Sequence, residues 1–192
     1  MRKHLIFSVV LAIILAMSAP CGFSRAASSE GPRFSDLIAT TSETHLILFG
    51  EIRNAFSQEM TSGLKSGVPV DFSFFIELIE KKANEKDSLL AKLRFGHTLA
   101  YDTLKDTYTV ELEEFNNRIV SFRDLSEAQQ SMSEVNGVRI LELSRLIPGS
   151  SYRIRIKAEL FNKTLPLSLH RILPFLSWWD RETDWQTLEF NF

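Results

Sequence analysis

Residues 68–78 constrain the fold more than any other stretch. Val68, Val70, Phe72, Phe74, Ile76 and Leu78 hold every even position, while Asp71, Ser73 and Glu77 fall on odd ones. Side chains of a strand alternate between its two faces, so this segment has one core face and one wetter face. The next run repeats the pattern, with Leu93, Phe95, Leu99 and Tyr101 facing one way and Lys92, Arg94, Thr98 and Asp102 the other. A third run sets Tyr108, Val110 and Leu112 inside and Thr107, Thr109, Glu111 and Glu113 outside. Residues 102–106 carry Asp at both ends, and Asp favours turns because its carboxylate accepts local backbone amides. Strands with one wet face and short links pair antiparallel, since parallel pairs need a crossover. The stretch 67–114 therefore reads as a three-stranded meander that the other elements cover or extend.

Those elements follow from period. Residues 34–41 and 44–49 read as two strands around a Thr-Ser-Glu turn. From 51 to 64 the period becomes helical: Ile52, Phe56, Met60 and Leu64 recur every fourth residue beside Ala55, and Gly63 and Gly67 mark the end. A polar loop covers 81–88. Residues 122–135 read as a second helix with Leu125, Ala128, Met132 and Val135 as its buried stripe, a capping box over 126–129, and Asn136-Gly137 as its stop. Residues 138–146 and 185–192 read as strands. Residues 152–160 give the cleanest alternation, with Tyr152, Ile154, Ile156, Ala158 and Leu160 against Arg153, Arg155, Lys157 and Glu159. The expected fold is α+β: one domain over 33–192, a twisted antiparallel sheet of about six to eight strands with two amphipathic helices on it.

The N-terminus has the form of an export signal. Arg2 and Lys3 precede an apolar run over 5–17, and Ser24-Arg25-Ala26 offers small residues for cleavage before Ala27. The run is shorter than the roughly 20 residues a spanning helix prefers, which favours a cleaved signal over an inner-membrane anchor. The expected organisation is a signal peptide over 1–26, a polar tether over 27–32, and a periplasmic domain in a Gram-negative envelope. Cys21 is the only cysteine. Pro20 before it disfavours lipidation, so it reads as a leader residue and the mature chain as free of thiol chemistry.

Net charge excludes one class of partner. Without 1–26 the chain holds 19 basic and 24 acidic residues, a net of −5, which is a poor match for nucleic-acid phosphates. No Gly-rich phosphate loop, dinucleotide fingerprint or nucleophile elbow is present. His45, His97 and His170 are far apart and form no metal-ligand pair. His97 lies on the apolar register of its strand and reads as a hydrogen-bonded core or pocket histidine. Glu113 and Glu114, read as neighbours in a strand, point apart and share no site. No catalytic, metal or cofactor site is expected.

Two features can bind. Arg153, Arg155 and Lys157 share one strand face and could hold an anion or an acidic partner. The run 165–179 is nearly all apolar and includes Phe175, Leu176, Trp178 and Trp179. It covers the core, or it presents a surface to a lipid, a membrane interface or a partner, where Trp is favoured for its amphipathic ring.

The order of features has a resemblance. Ser66-Gly67-Val68-Pro69-Val70 leads a Phe-rich strand. Tyr101-Asp102-Thr103-Leu104 precedes Tyr108. Phe122-Arg123-Asp124-Leu125-Ser126-Glu127-Ala128 follows, and then the 152–160 strand with Leu165-Pro166-Leu167. The mature chain resembles the bacterial domain-of-unknown-function 4390 family. The resemblance implies a small exported proteobacterial protein of no established activity. Family genes near those of a nitrogen-regulation-type sensor kinase hint at envelope signalling. The expected function is a non-enzymatic periplasmic binding or interaction module with an envelope protein or lipid as partner. The alternative is a lipid-binding or membrane-interface protein that uses 165–179.

Overall fold

The computed structural model describes residues 31–83, 85–161 and 181–192. β1 (Arg33–Thr41), β2 (His45–Arg53) and β7 (Glu134–Glu142) form a three-stranded sheet in that order. The larger sheet holds β3 (Val70–Lys81), β4 (Ser88–Asp102), β5 (Thr107–Leu112), β6 (Arg118–Phe122), β8 (Ser151–Phe161), β9 (Arg181–Glu182) and β10 (Gln186–Asn191). Its order is β10-β8-β3-β4-β5-β6, with β9 also on β8, and every pairing is antiparallel. The described residues also form two α-helices, α1 (Gln58–Lys65) and α2 (Leu125–Ser133).

The meander stands as read: β3, β4 and β5 are consecutive neighbours. Their core register is continuous across the sheet. Phe72 pairs with His97 and Leu160, Phe74 with Phe95 and Ala158, and Ile76 with Leu93 and Ile156. Phe74 and Phe95 stack at 4.9 Å between ring centroids, the offset arrangement that aromatic pairs prefer. Both sheets and both helices contribute to a single core: Phe34 of β1 comes within 6.4 Å of the Phe74 ring, Phe56 lies 5.2 Å from Phe72, and Met60, Leu64, Ala128 and Met132 are buried.

The expectation of one sheet is corrected. Ten described strands divide into two sheets, because a sheet with a complete apolar face must bury it against a second layer. β2 supplies that layer through Leu46, Leu48 and Ile52, and it pairs with β1 and β7 rather than with the meander.

Both helices are shorter than their periods suggest. β2 continues to Arg53, with Ile52 opposite Phe34, so Ile52 is a strand residue. A recurrence every fourth position fits a strand as well as a helix, which is why the period misleads there. Ser57 then caps α1 by accepting the Met60 amide at 3.2 Å. In α2 the cap is Asp124, which accepts the amides of Ser126 and Glu127, and not the box at 126–129. The helix ends at Ser133. Gly137 does not stop it: it lies inside β7, at φ +79°, as the extra residue where the register with β2 slips between Leu48 and Phe49. β6 goes unread in the sequence, since a five-residue edge strand with Ile119 exposed has no complete apolar face.

Residues 1–30 and 162–180 lie outside the described residues, and with them the signal, Cys21, His170, Phe175, Leu176, Trp178 and Trp179. No helix among the described residues is long and apolar enough to cross a membrane.

Candidate functional site

β4 is far longer than β5. Pairing between them runs only from His97–Leu112 to Asp102–Thr107, whereas β3 accompanies β4 from Ser88 to Leu99. The part of β4 before residue 97 thus has a neighbour on one side alone among the described residues. β5 leaves because residues 113–115 turn as a 3-10 helix that ends on Asn116 at φ 61° and Asn117 at φ 56°. Both take the left-handed region, which Asn tolerates better than most residues. On the facing side, β7 is the terminal strand of its own sheet.

Between these two edges lies a cleft of about 870 Å³. Its β4 side is formed by residues 92–95 and its β7 side by Gly137, Val138 and Arg139, with Ile47 behind them. Glu113, Glu114, Phe115 and Asn116 close one end. The volume falls in the range of small-ligand and peptide sites.

The closing turn is tied to β4 by two carboxylates. The Gly96 amide donates to Glu113 Oε2 at 2.5 Å. The side chain takes the place that a backbone carbonyl would hold had β5 continued. Gly96 leaves room for this approach: a Cβ there would lie 3.2 Å from the Glu113 carboxyl carbon and from its Oε2, tighter than most such contacts. Glu114 turns inward. Its Oε1 lies 2.9 Å from His97 Nε2, and its side chain is only 7% exposed. Glu114 Oε2 is buried with no hydrogen-bond partner among the described residues.

His97 fixes the proton count of this pair. Its Nδ1 lies 2.9 Å from the Met132 carbonyl, which can only accept, so Nδ1 carries a proton. Nε2 and Glu114 Oε1 then hold one proton between them. The arrangement is an imidazolium facing a carboxylate or an imidazole facing a carboxylic acid, and in both forms the buried pair is neutral as a whole. This couples three elements: β4, the turn that ends β5, and the last turn of α2. His97 is thus the hydrogen-bonded core histidine that its register implies. Glu113 and Glu114, expected to share no site, both border the cleft, because they occupy a 3-10 turn and not a strand. The sequence cue for this is the Asn116-Asn117 pair, a turn signal directly after them.

The cation row of β8 is accounted for within the larger sheet. Arg153 pairs with Glu189 at 2.8 Å and with Asp87 at 3.6 Å. Arg155 pairs with Glu77 at 3.6 Å and lies 4.6 Å from the Trp185 ring. Lys157 pairs with Glu182 at 2.6 Å and with Glu159 at 3.6 Å. The hydrogen bond from Lys157 to Glu182 raises the lysine pKa, against the opposing effect of burial. The three cations share a face as read, and each faces acids of the same sheet. The cleft holds a different set. Lys92 is 65% exposed and reaches Glu77 only at 3.7 Å, Arg94 stands 5.6 Å from the Phe75 ring, and exposed Arg139 has no acidic partner among the described residues. No group of His, Cys, Asp and Glu among the described residues is arranged to hold a metal ion.

A family model described as Domain of unknown function (DUF4390) matches residues 29–189. No curated protein and no solved structure matches the chain.

Proposed function

The chain belongs to the DUF4390 family, and on that premise we propose that it is a non-catalytic binding module of the cell envelope whose partner docks in the cleft between β4 and β7. The observation that carries the reading is the cleft itself: about 870 Å³ between two strand edges that no other described strand covers, with apolar Leu93, Phe95 and Val138 beside exposed Lys92, Arg94 and Arg139. Binding sites combine apolar area with a few polar groups that orient the partner, and this lining has that character. The signal-like N-terminus supports an envelope location.

A photo-crosslinking residue in place of Arg139, in the full chain expressed in its own cells, tests the reading. The expected result is an adduct with one identified protein. That protein, purified, then binds the domain and loses affinity for Arg139→Glu. Equal capture from Leu104, which is 96% exposed and remote from the cleft, overturns the reading. So does turnover of an ester, phosphoester or peptide that a single substitution abolishes. A second reading, a lipid or membrane interface over 165–179, is supported by that run's Trp and Leu content. It requires liposomes to retain the protein and Trp178→Ala with Trp179→Ala to release it.

A further inference from the structure

We infer that the open edge of β4 receives an extended acidic segment of another protein as an added antiparallel or parallel strand, with acidic and apolar residues alternating. The inference rests on the docking reading above and names its mode and the chemistry of the partner.

The backbone sets the mode. The Gly96 amide points away from β3, because it donates to Glu113. Backbone groups alternate in direction along a strand, so the amides and carbonyls of Arg94 and Lys92 point the same way, into the cleft. No described strand meets them there. An edge of this kind is a template for strand addition, in which main-chain hydrogen bonds give affinity and alternate side chains give specificity. At Gly96, where that edge ends, the amide already donates to a carboxylate, that of Glu113.

The side chains set the partner. Lys92 and Arg94 stand on the outer face of the larger sheet, as the Glu77 and Phe75 contacts show, while Leu93 and Phe95 stand on the inner face. An incoming strand with acids two residues apart meets both cations on one face, and the residues between those acids meet Leu93, Phe95 and Val138 on the other. Arg139 across the cleft adds a third cation. A second copy fits badly. Antiparallel self-pairing about Leu93 puts Lys92 of each copy opposite Arg94 of the other, and like charges directly opposite destabilise a sheet.

The probe is a capped peptide of four Glu-Val repeats, added to the full chain and followed by residue-resolved amide exchange. The amides of Lys92 and Arg94 are expected to slow by at least about tenfold, while those of Leu93 and Phe95, bonded to β3, change little. Lys92→Glu with Arg94→Glu is expected to weaken the peptide by about tenfold and to shift preference to Lys-Val repeats. A peptide of the same composition in two blocks is expected to bind more weakly. Equal slowing at Ile119 to Ser121 on the β6 edge overturns the inference as unspecific edge pairing. Concentration-dependent slowing without peptide overturns it in favour of a second copy. Absence of any slowing while crosslinking from Arg139 succeeds overturns the strand mode and leaves the docking site standing. Failure of both removes both.

Discussion

The Gly96 amide and the Glu113 carboxylate, 2.5 Å apart, end the pairing of β4 with β5. Beyond them β5 turns away, and β4 runs on with one neighbour among the described residues. That contact sits where the turn after β5 begins and marks the last residue of β4 covered on that side among the described residues.

Glu113→Ala is expected to speed exchange at the Gly96 amide selectively and to cost about 1 kcal/mol, the net worth of one hydrogen bond. Glu113→Gln keeps an acceptor and should retain most of the protection. Unchanged exchange at Gly96 in the alanine variant would show that the carboxylate is not what holds that amide.

His97→Leu is expected to cost about 3 kcal/mol, because it leaves the buried Glu114 carboxyl with neither oxygen paired. The double variant with Glu114→Leu should recover part of that loss, since both polar groups are then gone. Denaturant unfolding of the four proteins measures the coupling. Simple additivity would mean that the pair does not act as a unit.

Lys157 gives a pH signature. Its pKa is raised in the folded state, first by the hydrogen bond with Glu182 and against the effect of burial. A raised folded pKa contributes stability that is full below the unfolded value, near pH 10.4, and is lost as pH climbs through the folded one. The stability gap between the native chain and Glu182→Gln should therefore be constant from about pH 8 to 9 and narrow as pH climbs past the unfolded lysine value. A gap that stays constant throughout the alkaline range contradicts this assignment.

Gly137→Ala is expected to cost about 1 kcal/mol, because φ +79° is a left-handed conformation that a Cβ disfavours. The new methyl has room, its nearest neighbour being the Phe49 ring at 3.7 Å, so strain and not collision sets the cost. Gly137→Asn should cost less, as Asn tolerates this region. Equal thermal midpoints for all three proteins would exclude backbone strain at the bulge.

The strands were legible wherever one face is wet. β3, β5 and β8 carry their buried apolar residues at period two: Val70 to Leu78 on even numbers, Tyr108 and Val110, and Tyr152 to Leu160 on even numbers, with only Phe75 and Ile79 breaking the alternation of β3 as half-buried residues. The helices were legible as stripes but not as lengths. Met60, Leu64, Ala128 and Met132 are buried as read, yet Ile52 and Val135 at the ends of the two stripes belong to strands. A four-residue recurrence serves either period, and only pairing with β1 and β2 resolves it.

The cleft was not legible at all. Lys92 and Arg94 lie on the wet register of their strand, Arg139 lies in a run of mixed facing that singles out no residue, and the regular cation row is Arg153, Arg155 and Lys157. In the structure Glu189, Glu77 and Glu182 come from other strands to face the regular row, while Arg139 meets no acid among the described residues.

The sequence by itself determined which residues are apolar at period two, and hence the antiparallel meander and the α+β class. It also carried the resemblance that the family match bears out over residues 29–189. Tertiary structure alone decided that ten described strands form two sheets, that β4 outruns β5, and that Glu113 and Glu114 turn back onto Gly96 and His97. The reason is physical. Alternation is a local property of a strand, written in its own residues. Which edge stays open, and which charge finds a partner, depends on the lengths and positions of strands far away in the chain.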